Sequence, residues 1–207
     1  NAEEHEFGTS DYVTFYALHA LQTLREQHDG PIALLGYCMG GIFAVAMTQL
    51  AQLYVDALVL LATPWDFSAE DTPRVLLNPA TQTMLRNWIA TQNPVHPIVT
   101  QTIFHLIDPW RVQQKYSRFP NLSEDEKRHF LAVEQWVNDG VPLTRRVAEE
   151  CFVEWPQKNI LAEHQWKIGR RWIEPAAITC PTLATKVTSA TEAARSRISP
   201  TRITSGS

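Results

Sequence analysis

The sequence predicts an α/β fold with a parallel sheet that is interrupted by a helical insertion. Two short apolar segments, the uninterrupted run Ile32–Gly36 and the segment Val55–Ala62, alternate with helical patterns, as expected of strands in a parallel sheet. After Phe67 a long stretch contains no further run of this kind and is punctuated by prolines. We therefore expect a sheet-bearing core and a separate helical lid.

The core begins with a helix over 11–27, for which Ser10 is the expected N-cap. Its apolar positions share one face at helical spacing: Val13, Ala17, Ala20, Leu21 and Leu24. The run Ile32–Gly36 contains no polar residue, which is typical of a strand buried on both faces. A helix over about 40–53 connects this strand to the next one.

Amphipathic, aromatic-rich segments predict that the insertion, 68–172, is helical. Its clearest helix begins at a capping box, Ser123 with Glu126, and ends at 138–140. The apolar positions of this helix include Phe130, Val133 and Val137. Another helix is expected over 144–155. Such a lid would exclude water from a reactive group beneath it.

A strand is predicted to begin again near Ala176, with Ile178 and Cys180, and to stop early at Leu183. Residues 184–207 are mainly Ser, Thr, Ala and Arg and contain no aromatic residue, Leu, Asp or His, a composition typical of disorder. The chain is therefore expected to have four parts: a partial core (1–67), a lid (68–172), a return strand of the core (173–183) and a disordered or altered tail (184–207).

A reactive cysteine is expected between the first strand and the helix that follows it. The segment 36–41, Gly-Tyr-Cys-Met-Gly-Gly, has the Gly-x-Cys-x-Gly pattern of a nucleophile elbow, a strained turn that presents its central side chain. The expected elbow glycines are Gly36, Gly40 and Gly41; the small residues at Gly36 and Gly40 are expected to let the backbone close without a clash. Cys38 is then the nucleophile, and the backbone N–H of Met39 is the expected oxyanion donor.

Two other interpretations of this stretch are open. A buried structural cysteine in a glycine-rich turn is the simpler one, because free Cys is among the most buried residue types. The absence of charge between Asp29 and Asp56 also raises a membrane-spanning helix. Pro31 and the glycines interrupt that run and neither end carries a basic cluster, so we expect no transmembrane segment. The strand-to-helix context favours the nucleophile.

Charge and cysteine content exclude several classes of function. A net charge of −4 and a pI near 6.0 give no support for nucleic-acid binding. Three cysteines without a Cys-x-x-Cys pattern disfavour a disulfide framework and a metal site and indicate a reducing compartment. Cys151 and Cys180 are assigned to packing. The start at Asn1 has no signal-peptide character and no initiator Met, so we expect the chain to begin inside a longer protein.

The partners of the nucleophile are not at their expected positions. In elbow enzymes of this type an acid and then a His follow a late strand, but here the last Asp is Asp139 and the last His is His164. We expect His164 to face solvent beside a loop, Asp66 to hold a turn, and Glu192 to have no catalytic role. With only one helix before Ile32, the loop that carries the second oxyanion donor is also expected to be absent.

The segment 36–41 resembles the lipase-like box of the polyhydroxyalkanoate synthases, α/β-hydrolase enzymes in which Cys replaces the lipase Ser. Further segments resemble this family: Leu61–Phe67, Glu134–Leu143, Trp155–Asn159 and Ile178–Leu183. The similarity extends over about residues 10–183. Dienelactone hydrolases have a very similar box but no long helical insertion. The resemblance thus implies an incomplete α/β-hydrolase-like parallel sheet with a helical lid insertion.

The resemblance also implies an acyltransferase that polymerises 3-hydroxyacyl-CoA into polyhydroxyalkanoate through a thioester on Cys38, without a cofactor. The implied partners are 3-hydroxyacyl-CoA, the growing polyester chain, and a second copy or a partner synthase subunit. The implied location is the cytoplasm, in association with polyester granules. Because the family's Asp and His do not follow Leu183, we hypothesise that the chain from about Ala184 onward is frameshifted or otherwise altered and that turnover is low.

Two alternatives to this function stay open. One is a hydrolase of esters or lactones with a Cys nucleophile, similar to dienelactone hydrolase. The other is a non-catalytic relative that binds a polyester granule or a partner subunit, which the missing base favours.

Overall fold

The chain packs as two compact units. A computed structural model describes most of the chain: residues 4–70 and 72–185. One unit, here called the helical unit, contains Pro73–Pro156 and the described residues up to Phe7. The other, the sheet unit, contains Gly8–Thr72 and the described residues from Gln157 onward. Residues 157–172 therefore pack with the sheet unit, although the sequence assigns them to the lid. The domain boundaries drawn from the sequence stay a prediction.

The sheet unit is built on three parallel strands. Within the described residues its strands are β1 (Ala33–Tyr37), β2 (Ala57–Leu61), β3 (Lys167–Ile168), β4 (Arg171–Trp172) and β5 (Thr182–Thr185). β2 lies between β1 and β5, whereas β3 and β4 form a short antiparallel pair. The register aligns Leu35 with Val59 and Leu183. The predicted α/β class with a parallel sheet is confirmed.

The first helix, α1, changes its geometry along its length. It consists of an α-helical turn Thr9–Asp11, a π-helical segment Tyr12–Ala17 and an α-helical segment Leu18–Gln27. Val13 and Leu21 are buried as predicted, but Ala20 and Leu24 are exposed, which contradicts the predicted face. The π-helical segment adds a residue to its turn and so rotates the later part of the helix about its axis.

The strand β1 is not buried on both faces, so that prediction is wrong. Leu34 packs against the cluster of Leu21, Ile32 and Val55, but Leu35 and Tyr37 on the other face are 64% and 66% exposed. Within the described residues, the apolar run is therefore an edge strand that is covered on one side, by α1 and by the helix α2 (Met39–Leu50). A 3₁₀ turn, Gln52–Tyr54, follows α2.

The return strand begins later and ends later than predicted. Pro175–Ala177 form a 3₁₀ turn, and pairing with β2 begins only at Thr182. The strand includes Ala184 and Thr185, which the sequence assigns to the disordered tail. Backbone pairing with β2 explains the difference, because it does not depend on the small side chains of these residues. The remainder of the predicted tail lies outside the described residues.

The helical unit is made of helices. They are α3 (Arg74–Leu77), α4 (Pro79–Ala90), α5 (Pro97–Ile107), α6 (Pro109–Arg118), α7 (Glu124–Asn138) and, as far as Pro156, α8, which comprises Arg145–Glu149, a π-helical segment Glu150–Glu154 and Trp155–Lys158. Their core joins buried residues from several helices: Leu85, Ile89, Val95, Val99, Ile103, Ala148 and Val153.

The predicted capping box of α7 is confirmed. The Ser123 hydroxyl accepts from the Glu126 N–H at 3.4 Å, and the Glu126 carboxylate accepts from the Ser123 N–H at 2.8 Å. Of the predicted apolar positions of this helix, Phe130 is half-buried, whereas Val133 and Val137 are exposed, and no residue of α7 is fully covered. Amphipathic spacing therefore predicted the helix correctly but did not predict which elements cover it.

Candidate active site

Cys38 lies at the junction where β1 ends and α2 begins. Its φ of 51° and ψ of −125° are values that a residue with a side chain rarely adopts, at a cost of about 1–3 kcal/mol. The Cys38 N–H donates to the Leu61 carbonyl at 2.9 Å, and the Cys38 carbonyl accepts from the Gly41 N–H at 2.9 Å. The strained turn is thus held by β2 on one side and by the first turn of α2 on the other.

Two of the three expected elbow glycines are sterically required. A Cβ at Gly36 would lie 2.4 Å from the Cα of Gly41, and a Cβ at Gly41 would lie 1.8 Å from the hydroxyl oxygen of Thr63. A Cβ at Gly40 would meet nothing within 4 Å. The expectation that Gly40 lets the backbone close is therefore wrong, because it is Gly41 that faces the neighbouring strand end.

The thiol of Cys38 is half-buried and touches the N-terminus of α2. Burial raises its pKa, and a hydrogen bond from the backbone N–H of Met39 lowers it by less. No basic side chain of the described residues contributes to this pKa. At neutral pH the group is therefore mainly a thiol, and a base is needed to generate the nucleophilic thiolate. Met39 is the first residue of α2, and its role as oxyanion donor stays a prediction.

The end of β2 has a second unusual backbone conformation beside the elbow. Ala62 has a φ of 48°, and the next residue, Thr63, is 2% exposed with a hydroxyl oxygen that has no partner among the described residues. Ligands of open α/β sheets bind outside the carboxyl ends of the strands, which is where Cys38 and Ala62 both lie. No pattern in the sequence marks Ala62 or Thr63, since nothing about an Ala predicts positive φ.

Asp66 holds the loop after β2. Its Oδ1 accepts from the Ser68 N–H at 2.8 Å, from the Ser68 hydroxyl at 2.7 Å and from the Asn159 side-chain amide at 2.8 Å. Asn159 in turn accepts from the Phe67 N–H at 2.8 Å and has a φ of 49°. The predicted turn role of Asp66 is confirmed. Asn159 was missed as a structural partner, although it ends one of the segments that resemble the synthases.

The other candidate bases and acids do not join Cys38. His164 is exposed in a turn with a φ of 57°, as predicted, and no hydrogen bond links it to Cys38. Asp139 is the C-cap residue that follows α7 in the helical unit. Glu192 lies outside the described residues. Within those residues, no His or carboxylate is hydrogen-bonded to the thiol.

The remaining cysteines contribute to packing. Cys151 is buried in α8, and Cys180 packs against the cluster that contains Leu21. Burial, with a smaller contribution from the charge of Asp56, raises the pKa of the Cys180 thiol. Neither cysteine occupies a strained turn, so Cys38 is distinguished by its backbone.

The described part of the chain contains neither a candidate metal site nor a candidate membrane-spanning helix. No group of three or more His, Cys, Asp and Glu side chains there is arranged to hold a metal ion. None of the helices described is both long enough and apolar enough to span a bilayer.

Comparison with known proteins gives one family and several relatives. Curated relatives include the poly(3-hydroxyalkanoate) polymerase subunit PhaC of Allochromatium vinosum, at 27% identity over 178 residues, and that of Synechocystis sp., at 25% over 185 residues. The subunit of Haloarcula marismortui is 27% identical over 179 residues. Each match covers 84% of this chain, but only 49%, 48% and 37% of the respective relative. The chain therefore spans about half the length, or less, of these relatives.

A family model described as alpha/beta hydrolase fold matches residues 2–133. The match includes β1, the elbow at Cys38 and β2, which are the parts of the sheet that build the candidate site. Because it extends over more than half of the sequence, the chain belongs to the α/β-hydrolase fold family.

Proposed function

We propose that this chain is the nucleophile-bearing part of a polyhydroxyalkanoate synthase-type acyltransferase and that Cys38 accepts the acyl group of a 3-hydroxyacyl-CoA. The observation that carries the proposal is the strained position of Cys38 between the end of β1 and the N-terminus of α2. The names of the relatives, poly(3-hydroxyalkanoate) polymerase subunits, support the choice of substrate and of polymer product.

The first step of the proposed reaction exchanges one thioester for another. The sulfur of Cys38 attacks the carbonyl carbon of the CoA thioester, and the negative charge that develops on the carbonyl oxygen is stabilised by the Met39 N–H. The bond to the CoA sulfur then breaks, and the proton lost by Cys38 ends on the released CoA thiol. The hydroxyl group of a growing polyester chain is the acceptor for the next transfer, and no cofactor is needed.

A missing base is the reason to expect slow turnover. The raised pKa of Cys38 keeps most of the thiol protonated at neutral pH, and within the described residues no base is bonded to it. General base catalysis contributes on the order of 10²–10⁴ in rate, so the acylation of Cys38 should be slow without it. We therefore expect acylation to approach a single turnover rather than sustained polymerisation.

The test is to incubate the chain with 3-hydroxybutyryl-CoA and to measure released CoA and the mass of each cysteine peptide. We expect a 3-hydroxybutyryl adduct on Cys38 with one CoA released per adduct. The Cys38→Ala variant should lose both signals, whereas Cys151→Ala should keep them. Sustained release of free 3-hydroxybutyrate would instead support a hydrolase with a Cys nucleophile. The absence of any Cys38 adduct up to alkaline pH would contradict both enzymes.

A non-catalytic relative is the second candidate, favoured by the protonated state of the Cys38 thiol. Such a protein would bind a polyester surface or a partner subunit through other residues. Alkylation with iodoacetamide at neutral pH separates the two candidates, because an activated thiol reacts through its thiolate. Cys38 reacting much faster than Cys180 would count against an inert role. Equal, slow labelling of the two cysteines, together with no 3-hydroxybutyryl adduct on Cys38, would support it.

A further inference from the structure

Thr63 occupies the space in which a side chain at Gly41 would lie. A Cβ built on Gly41 would be 1.8 Å from the Thr63 hydroxyl oxygen and 2.7 Å from both its Cβ and its Cγ2. Thr63 is 2% exposed, so its side chain has no free direction in which to move. The end of β2 and the first turn of α2 are therefore in direct contact at this pair.

The same turn of α2 is tied to Cys38 by backbone hydrogen bonds. The Gly41 N–H donates to the Cys38 carbonyl at 2.9 Å, and the Cys38 N–H donates to the Leu61 carbonyl at 2.9 Å. Leu61 lies two residues before Thr63, so the contacts form a closed ring from β2 to Cys38, to Gly41 and back to β2. A shift of α2 against Thr63 cannot occur without a change at Cys38.

The Thr63 hydroxyl makes no hydrogen bond with the described residues, although it is buried. A buried hydroxyl without a partner does not stabilise a protein, since the hydrogen bonds it made with water are lost. What Thr63 contributes at this position is the volume of its two γ atoms against the backbone of Gly41. The shape of the Thr63 side chain, rather than its hydrogen bonding, is therefore the property that matters for the contact with Gly41.

We propose that Thr63 is a positioning residue for Cys38: its γ atoms fix the first turn of α2 and thereby keep the Cys38 thiol half-buried at the N-terminus of that helix. The proposal rests on the proposed role of Cys38 as the nucleophile. It assigns a function to a side chain at the end of the neighbouring strand whose γ atoms lie against Gly41.

The test measures how the rate of Cys38 alkylation by iodoacetamide depends on pH, with Cys180 as the internal reference. Thr63→Ala removes both γ atoms and gives the first turn of α2 room to move. Burial is the larger influence on the Cys38 thiol. Admission of water should therefore lower the pH midpoint by about half a unit, which is roughly threefold in thiolate below the midpoint. Thr63→Val keeps both γ atoms and should restore the wild-type midpoint.

Thr48→Ala is the matched control. Thr48 lies in the same helix, is fully buried, and donates its hydroxyl to the Ala44 carbonyl at 2.7 Å. Loss of the Thr48 hydroxyl should lower the free energy of unfolding but leave the pH midpoint of Cys38 alkylation unchanged. An unchanged midpoint in Thr63→Ala, or an equal change in Thr48→Ala, would overturn the positioning role. Acylation by 3-hydroxybutyryl-CoA is scored separately, so a failure of the proposed reaction leaves the alkylation result interpretable.

Discussion

The two units of this protein are specified by different kinds of interaction. In the helical unit, side chains at helix N-termini accept hydrogen bonds from the first backbone N–H groups: Asn78, His96, Asp108, Ser123 and Thr144. Among the described residues, those with positive φ all lie in the sheet unit: Cys38, Ala62, Asn159, His164 and Gly169. Caps act over two or three residues, whereas the strained conformations at Cys38 and Asn159 are held by contacts with distant segments.

The two kinds of interaction differ in whether their partners are close together in the sequence. A cap such as Ser123 is favourable by itself, because it satisfies backbone groups that the helix leaves unpaired. A positive φ at Cys38 is unfavourable by itself and persists only because Leu61 and Gly41 hold it. The same kind of substitution should therefore have opposite effects in the two units, and the predictions below use that contrast, beginning with the largest effect.

Gly36→Ala should give the largest loss. The new Cβ would lie 2.4 Å from the Gly41 Cα and 2.8 Å from the Gly40 carbonyl oxygen, and backbone atoms move only at a high cost. We expect the free energy of unfolding in urea to fall by about 3 kcal/mol or more. Gly40→Ala, which meets open space, is the matched control and should change stability by under about 1 kcal/mol. Equal losses in both variants would show that close packing at the elbow is not the cause.

Ser123→Ala should cost about 1 kcal/mol of unfolding free energy, because it removes the acceptor for the Glu126 N–H and one side of the capping box. Ser117→Ala is its control. The Ser117 hydroxyl is exposed and donates to the Gln114 carbonyl within α6, so its removal should change stability by no more than about 0.5 kcal/mol. Thermal unfolding of the two variants under the same conditions makes the comparison. A Ser123→Ala loss no larger than that of Ser117→Ala would contradict a local stabilising role for the caps.

Cys38→Gly should be more stable than Cys38→Ala by up to about 1 kcal/mol, since Gly relieves the positive φ and offsets its own entropic cost. In the helical unit the order should reverse. Ala132→Gly, at an exposed position of α7, should cost about 1 kcal/mol. Urea denaturation measures both differences. If Gly is the less stable residue at position 38 as well, the elbow stores no measurable strain.

Leu35→Lys should leave the free energy of unfolding within about 0.5 kcal/mol of wild type, because this side chain is already largely exposed. It should, however, reduce light scattering at high protein concentration, because an apolar edge strand is a site of association and a Lys blocks it. Leu34→Lys is the contrasting variant, since Leu34 packs against the buried cluster and a charge there should destabilise the fold. Unchanged scattering in Leu35→Lys would show that this edge does not drive association.

Much of the helical unit follows from the sequence, because its signals are short. The Ser123–Glu126 box and the end of α7 were predicted to within a residue. The strand–turn–helix context of Cys38 was also predicted, since the spacing of Gly36 and Cys38 is local. The burial of α7 was not, because amphipathic spacing does not reveal whether another element covers the helix.

The steric details of the elbow were beyond the reach of sequence reasoning. Gly41 is required by Thr63, which is 22 positions later in the chain, and no short pattern relates the two residues. The exposure of Leu35 depends on which elements lie over β1, and an apolar run reads the same whether it is central or at an edge. The rotated face of α1 follows from its π-helical segment, which the amino-acid composition of the helix does not predict.

The pairing of β2 with β5 has a consequence for how the protein is made. Leu58 pairs with Thr182, and the segment between these strands contains nearly the whole helical unit. Bringing such distant segments together is entropically costly and slows folding. At a synthesis rate of about 5–20 residues per second, β1 and β2 leave the ribosome on the order of ten seconds before their third strand. The speed of translation through the helical unit thus sets the earliest time at which the three-stranded sheet can close.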